Sequence, residues 1–174
     1  MKHIAILGSS LISVIEAITQ SRLGHKVTII DKNDDIGGAW KLENSLGYKN
    51  IEVGCHILIP TGKSEFDNKS YSELESFTGI KLVKLDSKPI NISVNPLNDS
   101  DPEDIEYYYP KNGLPEVLKN LRNAISENSI EYLNSHEVTD IHLKSKDEVE
   151  IKTNKANLKF NKGNYSAQSN LKNN

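Results

Sequence analysis

The chain has 174 residues, a formal net charge of -3 at pH 7 and 36% hydrophobic residues. That size and apolar fraction suit a soluble domain with a hydrophobic core, and the near-neutral balance argues against an electrostatic nucleic-acid binder. A single cysteine, Cys55, excludes an internal disulfide and suits a reducing compartment, and no apolar run is long enough to span a bilayer.

Lys2 and the apolar residues after it resemble the start of a signal peptide. Gly8-Ser9-Ser10 and Glu16 interrupt that stretch and no small-residue cleavage site follows, so a cytoplasmic protein is expected. Ile4 to Leu7 is a continuous apolar run, the pattern of a parallel strand buried on both faces. Residues 11–23 follow helical spacing, with Ile12, Ile15, Ala17 and Ile18 as the apolar set. Gly24 stands where a helix C′ glycine belongs, and Val27 to Ile30 reads as a second strand ending at Asp31. Residues 32–50 lose periodicity and gain Asn, Asp, Gly and Ser, which predicts a long functional loop.

Beyond it, residues 51–60 read as a short strand or turn centred on Gly54. Residues 72–77 read as a short helix with Leu74 and Phe77 buried, and 81–85 and 90–94 as strands. Asn95 to Asp104 is an acidic, proline-containing loop. Tyr107 to Pro115 is a turn feeding a helix on which Val117, Leu118, Leu121, Ala124 and Ile125 share one face. Residues 130–133 form a strand, and 149–153 with 158–160 alternate as a hairpin around Asn154 to Asn157. The polar end, residues 164–174, is expected to fray. The expected division is a cofactor domain over 1–60 and 107–163, an insertion over 61–106 and a flexible tail.

Strand, glycine turn, helix, strand and terminal acid make a βαβ unit of the dinucleotide-binding kind. A pyrophosphate needs backbone N–H groups at a helix N-terminus, and Gly8 supplies the unconstrained turn that brings them close. Asp31 supplies a carboxylate for ribose hydroxyls and repels a 2′-phosphate, which disfavours NADP. The G-x-G-x-x-G pattern falls on Gly8, Ser10 and Ser13, with serine at its second and third glycines. Ser10 adds a Cβ and a hydroxyl where the backbone must approach the phosphates. Gly37-Gly38, six residues after the acid, is the pair that FAD proteins tend to carry and plain NAD dehydrogenases lack.

Three stretches carry a family resemblance. They are Gly8 to Trp40, Glu52-Val53-Gly54-Cys55-His56, and Tyr109-Pro110-Lys111-Asn112-Gly113-Leu114 continuing to Glu137-Val138-Thr139-Asp140-Ile141. Together the chain resembles the N-terminal part of the family of flavin amine oxidases, protoporphyrinogen oxidase, phytoene desaturases and UDP-galactopyranose mutase. The resemblance implies a Rossmann-like, three-layer α/β FAD-binding domain with a β-hairpin or meander and a partial substrate-domain insertion, truncated relative to the family. It implies FAD contacts from Gly8, Ser9, Ser10 and Leu11, from Asp31 and Lys32, from Gly37, Gly38, Ala39 and Trp40, and from His56 and Val138. The valine backbone typically meets the adenine in this family, and His56 falls near the flavin ring.

His56 is the candidate catalytic side chain, since a histidine beside the flavin orients the ring or moves protons. Cys55 reads as an inert core thiol. No histidine set has metal-ligand spacing, no EF-hand loop occurs and no G-x-S-x-G appears, so hydride chemistry would belong to the flavin. The expected parent reaction is hydride transfer from a C–N or C–C bond to FAD. A mutase-like flavoenzyme fragment is the alternative among enzymes. The alternative of another class is a non-catalytic remnant, or half of a split protein that needs a C-terminal partner chain. Nothing after Gly163 is expected to supply the family's next buried strand.

Overall fold

Successive apolar residues, as in Ile4 to Leu7, are buried together in a strand covered on both faces, and the computed structural model places them so, with Ile4 to Ile6 at most 2% exposed. The structure describes residues 1–53, 58, 64–85 and 107–165. The elements run β1 His3–Leu7, α1 Leu11–Arg22, β2 Lys26–Ile30, β3 Lys41–Ser45, β4 Tyr48–Val53, α2 Ser64–Thr78 and β5 Leu82–Lys84. They continue as β6 Tyr108–Pro110, α3 Gly113–Glu127, β7 Glu131–Leu133, β8 Val138–Leu143, β9 Val149–Thr153, β10 Asn157–Phe160 and β11 Lys162–Tyr165. The chain divides into two compact units, residues 1–41 with 118–174, and residues 42–117.

The first unit is built on a parallel sheet of order β11-β1-β2-β7. Side chains alternate across it. Helix α1 lies on β1 and β2 and buries Val14, Ala17 and Ile18 completely. On the sheet's other face Ala5, Leu7 and Ile30 form one cluster with Val149, Ile151 and Phe160 of the antiparallel meander β8-β9-β10. Helix, sheet and meander are therefore three layers. Helix α1 ends as the sequence predicts: the Gly24 amide, at φ +82°, donates to the Ser21 carbonyl.

The second unit holds the β3–β4 hairpin, α2, the antiparallel β5–β6 pair and the first residues of α3. Glu52 organises one end of it. One carboxylate oxygen accepts from the Tyr109 hydroxyl at 2.6 Å and the other from the Leu114 amide at 2.9 Å, in the first turn of α3. Gly113 makes room, because a Cβ there would stand 2.5 Å from Glu52 Oε1. Two of the three stretches that carry the family resemblance thus meet in this unit.

Four sequence readings change. Ile12 is 72% exposed, and Val14 takes its expected place in the helix core. The stretch read as an aperiodic loop contains the β3–β4 hairpin, turned by Leu46 and Gly47 at φ +53° and +83°. Its strands are polar and mostly exposed, so they carry no burial alternation, while two consecutive positive φ values suit a tight hairpin turn. Helix α2 starts earlier and is longer than the expected 72–77. The segment after Asn161 forms β11, which pairs in parallel with β1 from Ile4↔Lys162 to Leu7↔Tyr165. Backbone pairing satisfies the open edge of β1 without an apolar sequence, which hides such a strand from pattern reading. The expected strand over 90–94 lies outside the described residues.

Candidate functional site

The site is assembled at the carboxyl ends of β1 and β2, where an α/β sheet presents its loops. Gly8 ends the first strand at φ +85° and its amide donates to the Ile30 carbonyl at 2.8 Å. This left-handed turn aims the chain into α1. Ser10 is the N-cap: its hydroxyl accepts from the Ser13 amide at 3.3 Å and lies 2.8 Å from the Ser13 hydroxyl. Ser13 is fully buried, so serine serves where close helix–sheet packing demands a small residue. Leu11 opens the helix and, with Ile12, carries amides that have no carbonyl one turn earlier to accept them.

The glycine pair comes against this turn. Gly37 donates its amide to the Ser9 carbonyl at 2.8 Å and forms a parallel bridge with Ser10. A Cβ at Gly37 would stand 2.0 Å from the Trp40 carbonyl oxygen and 2.7 Å from a Leu118 methyl. A Cβ at Gly38 would meet Ser10 Cα and Cβ at 3.3 Å. The sequence expectation that these glycines let a loop pass close is thus met against the Ser9-Ser10 backbone. Ala39 and Lys32 are exposed and Trp40 is half-buried.

Asp31 is 4% exposed and its carboxylate is saturated. Oδ2 accepts from the Ser9 amide at 2.6 Å and the Ser9 hydroxyl at 2.5 Å. Oδ1 accepts from the Asn33 amide at 2.8 Å and the Asn33 side-chain amide at 3.0 Å. The acid therefore turns toward the phosphate-loop candidate instead of toward solvent. Tyr132 lies beside Ser9, and burial pushes its phenol up to about 12, so it is neutral. Its hydroxyl is buried and faces the Ser9 side chain.

The link from β7 to β8 closes the rim. The His136 amide donates to the Asp31 carbonyl at 2.7 Å, the Ser135 amide to the Asn33 carbonyl at 2.8 Å, and the Asn134 side chain to the Asp34 carbonyl at 2.9 Å. Val138 follows at the start of β8, packed against the sheet-and-meander cluster. Asp35 forms a two-pronged ion pair with Arg122 of α3, and the guanidinium holds its carboxyl below the usual carboxylate range. The structure so brings together Gly8, Ser9, Ser10, Leu11, Asp31, Gly37 and Gly38, with the segment leading to Val138 at their edge. His56 and Cys55 lie outside the described residues. Sequence reasoning missed Asn33, Tyr132 and Arg122. An Asn two residues after a strand-terminal Asp is a local signal for Asn33, whereas Tyr132 and Arg122 are distant in sequence and have none.

The fit to a dinucleotide is therefore mixed in a specific way. The glycine turn, the helix N-terminus and the glycine pair have the shape expected of a pyrophosphate cradle, while the acid expected to meet a ribose is engaged by protein donors. Among the described residues no group of three His, Cys, Asp or Glu side chains can hold a metal ion, and no helix is long and apolar enough to cross a membrane.

No protein-family model and no curated protein matches the sequence. Solved structures do match. An oxidoreductase from Methanosarcina mazei aligns with a TM-score of 0.63 at 15% identity, over 94% of this chain and 58% of that one. A putrescine oxidase double mutant redesigned in cofactor binding aligns at 0.65 and 12% identity, over 93% and 57%. THI4 of Thermovibrio ammonificans aligns at 0.55 and 12% identity, over 94% and 55%. The fold is a Rossmann-like α/β fold with a parallel sheet and antiparallel hairpins. The chain spans somewhat more than half the length of these structures, and at such identities the likeness establishes architecture alone.

Proposed function

We propose that this chain is an FAD-binding domain of the flavin-dependent oxidoreductase kind. The observation that carries the reading is the meeting of Gly37-Gly38 with the Gly8-Ser10 turn, beside a strand-terminal acid. A plain dinucleotide fold needs the turn and the acid. The second glycine loop, held by the Gly37–Ser9 hydrogen bond, adds a backbone surface along the phosphates.

In this reading the first amides of α1 and the Gly8 turn hold the pyrophosphate. Asp31 holds the adenosine ribose, Lys32, Ala39 and Trp40 flank the loop, and the Val138 backbone borders the adenine. FAD, when bound, supplies hydride acceptance from a C–N or C–C bond. The chain's own residues bind it and keep its adenosine end out of water. His56 is the proposed side chain at the flavin ring, and its role is to orient the ring or move a proton.

The visible spectrum of purified protein after incubation with FAD and desalting tests this reading. Retained flavin absorption at a stoichiometry near one is the expected outcome. A colourless protein that takes up no FAD contradicts it. A second reading, a non-catalytic domain, is favoured by the saturated Asp31 carboxylate. It predicts a folded chain that takes up no FAD.

A further inference from the structure

The Asp31 carboxylate is held by two kinds of donor. The Ser9 and Asn33 amides belong to the backbone and are fixed by the turn and the strand end. The Ser9 hydroxyl and the Asn33 side-chain amide are carried on short rotatable side chains. An ionised carboxylate has about four acceptor positions, so these four donors fill it. A ribose presents two adjacent hydroxyls, which is the number of displaceable donors here, one on each carboxylate oxygen.

We infer that Ser9 and Asn33 set this chain's affinity for an adenosine ribose, by occupying with their side chains the Asp31 positions that the ribose hydroxyls must take. The inference rests on the proposed dinucleotide site and goes beyond it by assigning a competing role to two of its residues. Binding exchanges two protein donors for two ligand donors on the same carboxylate, so Asp31 adds little net affinity. The displaced groups have places to go. Asn33 is exposed and its side chain turns to water. The Ser9 hydroxyl, 1% exposed with its residue, has beside it the buried Tyr132 hydroxyl. Leaving a buried polar group unpaired is costly, so a second partner within reach is what makes the exchange feasible.

The test is calorimetric titration of the whole chain with FAD, ADP and FMN. ADP carries the ribose and pyrophosphate without the flavin, and FMN lacks the adenosine. Ser9→Ala and Asn33→Ala are each expected to bind FAD and ADP about tenfold more tightly than the unaltered chain, a change of about 1.4 kcal/mol. FMN binding by Asn33→Ala is expected to stay unchanged. Adding Asp31→Ala to either variant is expected to abolish the gain. Asn33→Ala alters an exposed side chain, so it keeps the test decisive where Ser9→Ala folds poorly. Unchanged or weaker FAD and ADP binding by Asn33→Ala and a folded Ser9→Ala, with the unaltered chain binding both, would overturn the inference and leave the site standing. Absence of FAD and ADP binding by all the proteins overturns the site and the inference together.

Discussion

Gly37 carries the tightest steric constraint among the residues of the site. Its φ of +116° is one that side chains with a Cβ rarely adopt, and a Cβ would overlap the Trp40 carbonyl at 2.0 Å. Gly37→Ala is therefore expected to cost about 3 kcal/mol or more in urea unfolding, by strain and overpacking together. A loss below about 1 kcal/mol would show that the loop relaxes freely. Asp31→Ala removes the acceptor of two backbone amides, Ser9 and Asn33. Unpaired donors of this kind cost about 1–3 kcal/mol each when buried. The variant is expected to be less stable in the same assay. An unchanged urea midpoint would mean that water replaces the carboxylate at little cost.

At the scale of elements, the amino end of the parallel sheet contains a short polar chain. The His3 ring Nε2 lies 2.8 Å from the Thr28 hydroxyl, which donates to Glu131 at 2.8 Å. Because the threonine proton goes to the carboxylate, Nε2 carries the proton that Thr28 accepts. Burial, with Lys26 nearby and against the pull of Glu131, holds the His3 pKa below its ordinary 6.5. The unfolded chain then takes up the second ring proton at higher pH than the folded one. Stability is expected to fall as pH drops through 6.5 and to level off below the folded-state value. His3→Gln, which keeps a donor for Thr28, is expected to show a smaller decline between pH 7.5 and pH 5 in urea unfolding. An equal decline would place the titration elsewhere. In the other unit, burial and then the Glu52 carboxylate push Tyr109 up to about 12. Glu52→Gln is expected to lower that phenol toward 10, read in the ultraviolet tyrosinate titration, where an unmoved curve would contradict the pairing.

Legibility in the sequence followed the same scale. Wherever burial dictates residue type the elements were readable: Ile4 to Leu7 and, apart from Thr28, Val27 to Ile30 are apolar because both faces of their strands are covered. Gly24 and Gly37 were readable because backbone conformation demands glycine. The polar β3–β4 hairpin and β11 were not, since their pairing rests on backbone hydrogen bonds that leave no trace in residue type. Within the site, the position of Asp31 was legible but its engagement was not. Nothing in the spacing of Ser9, Asp31 and Asn33 states that the acid turns inward. Only the tight approach of the turn to the strand end does so.

For the whole molecule, the glycine turn, Asp31 and the glycine pair are proposed to act together as one dinucleotide site. At 19.5 kDa the chain suits amide-resolved NMR. The most direct measurement is the change in amide chemical shifts as FAD is added. Saturable shifts are expected, concentrated at Gly8 to Ile12, Asp31 to Asn33 and Gly37 to Ala39, with smaller ones from Ser135 to Val138. Shifts that gather elsewhere on the chain, or no shifts at millimolar FAD, would contradict it.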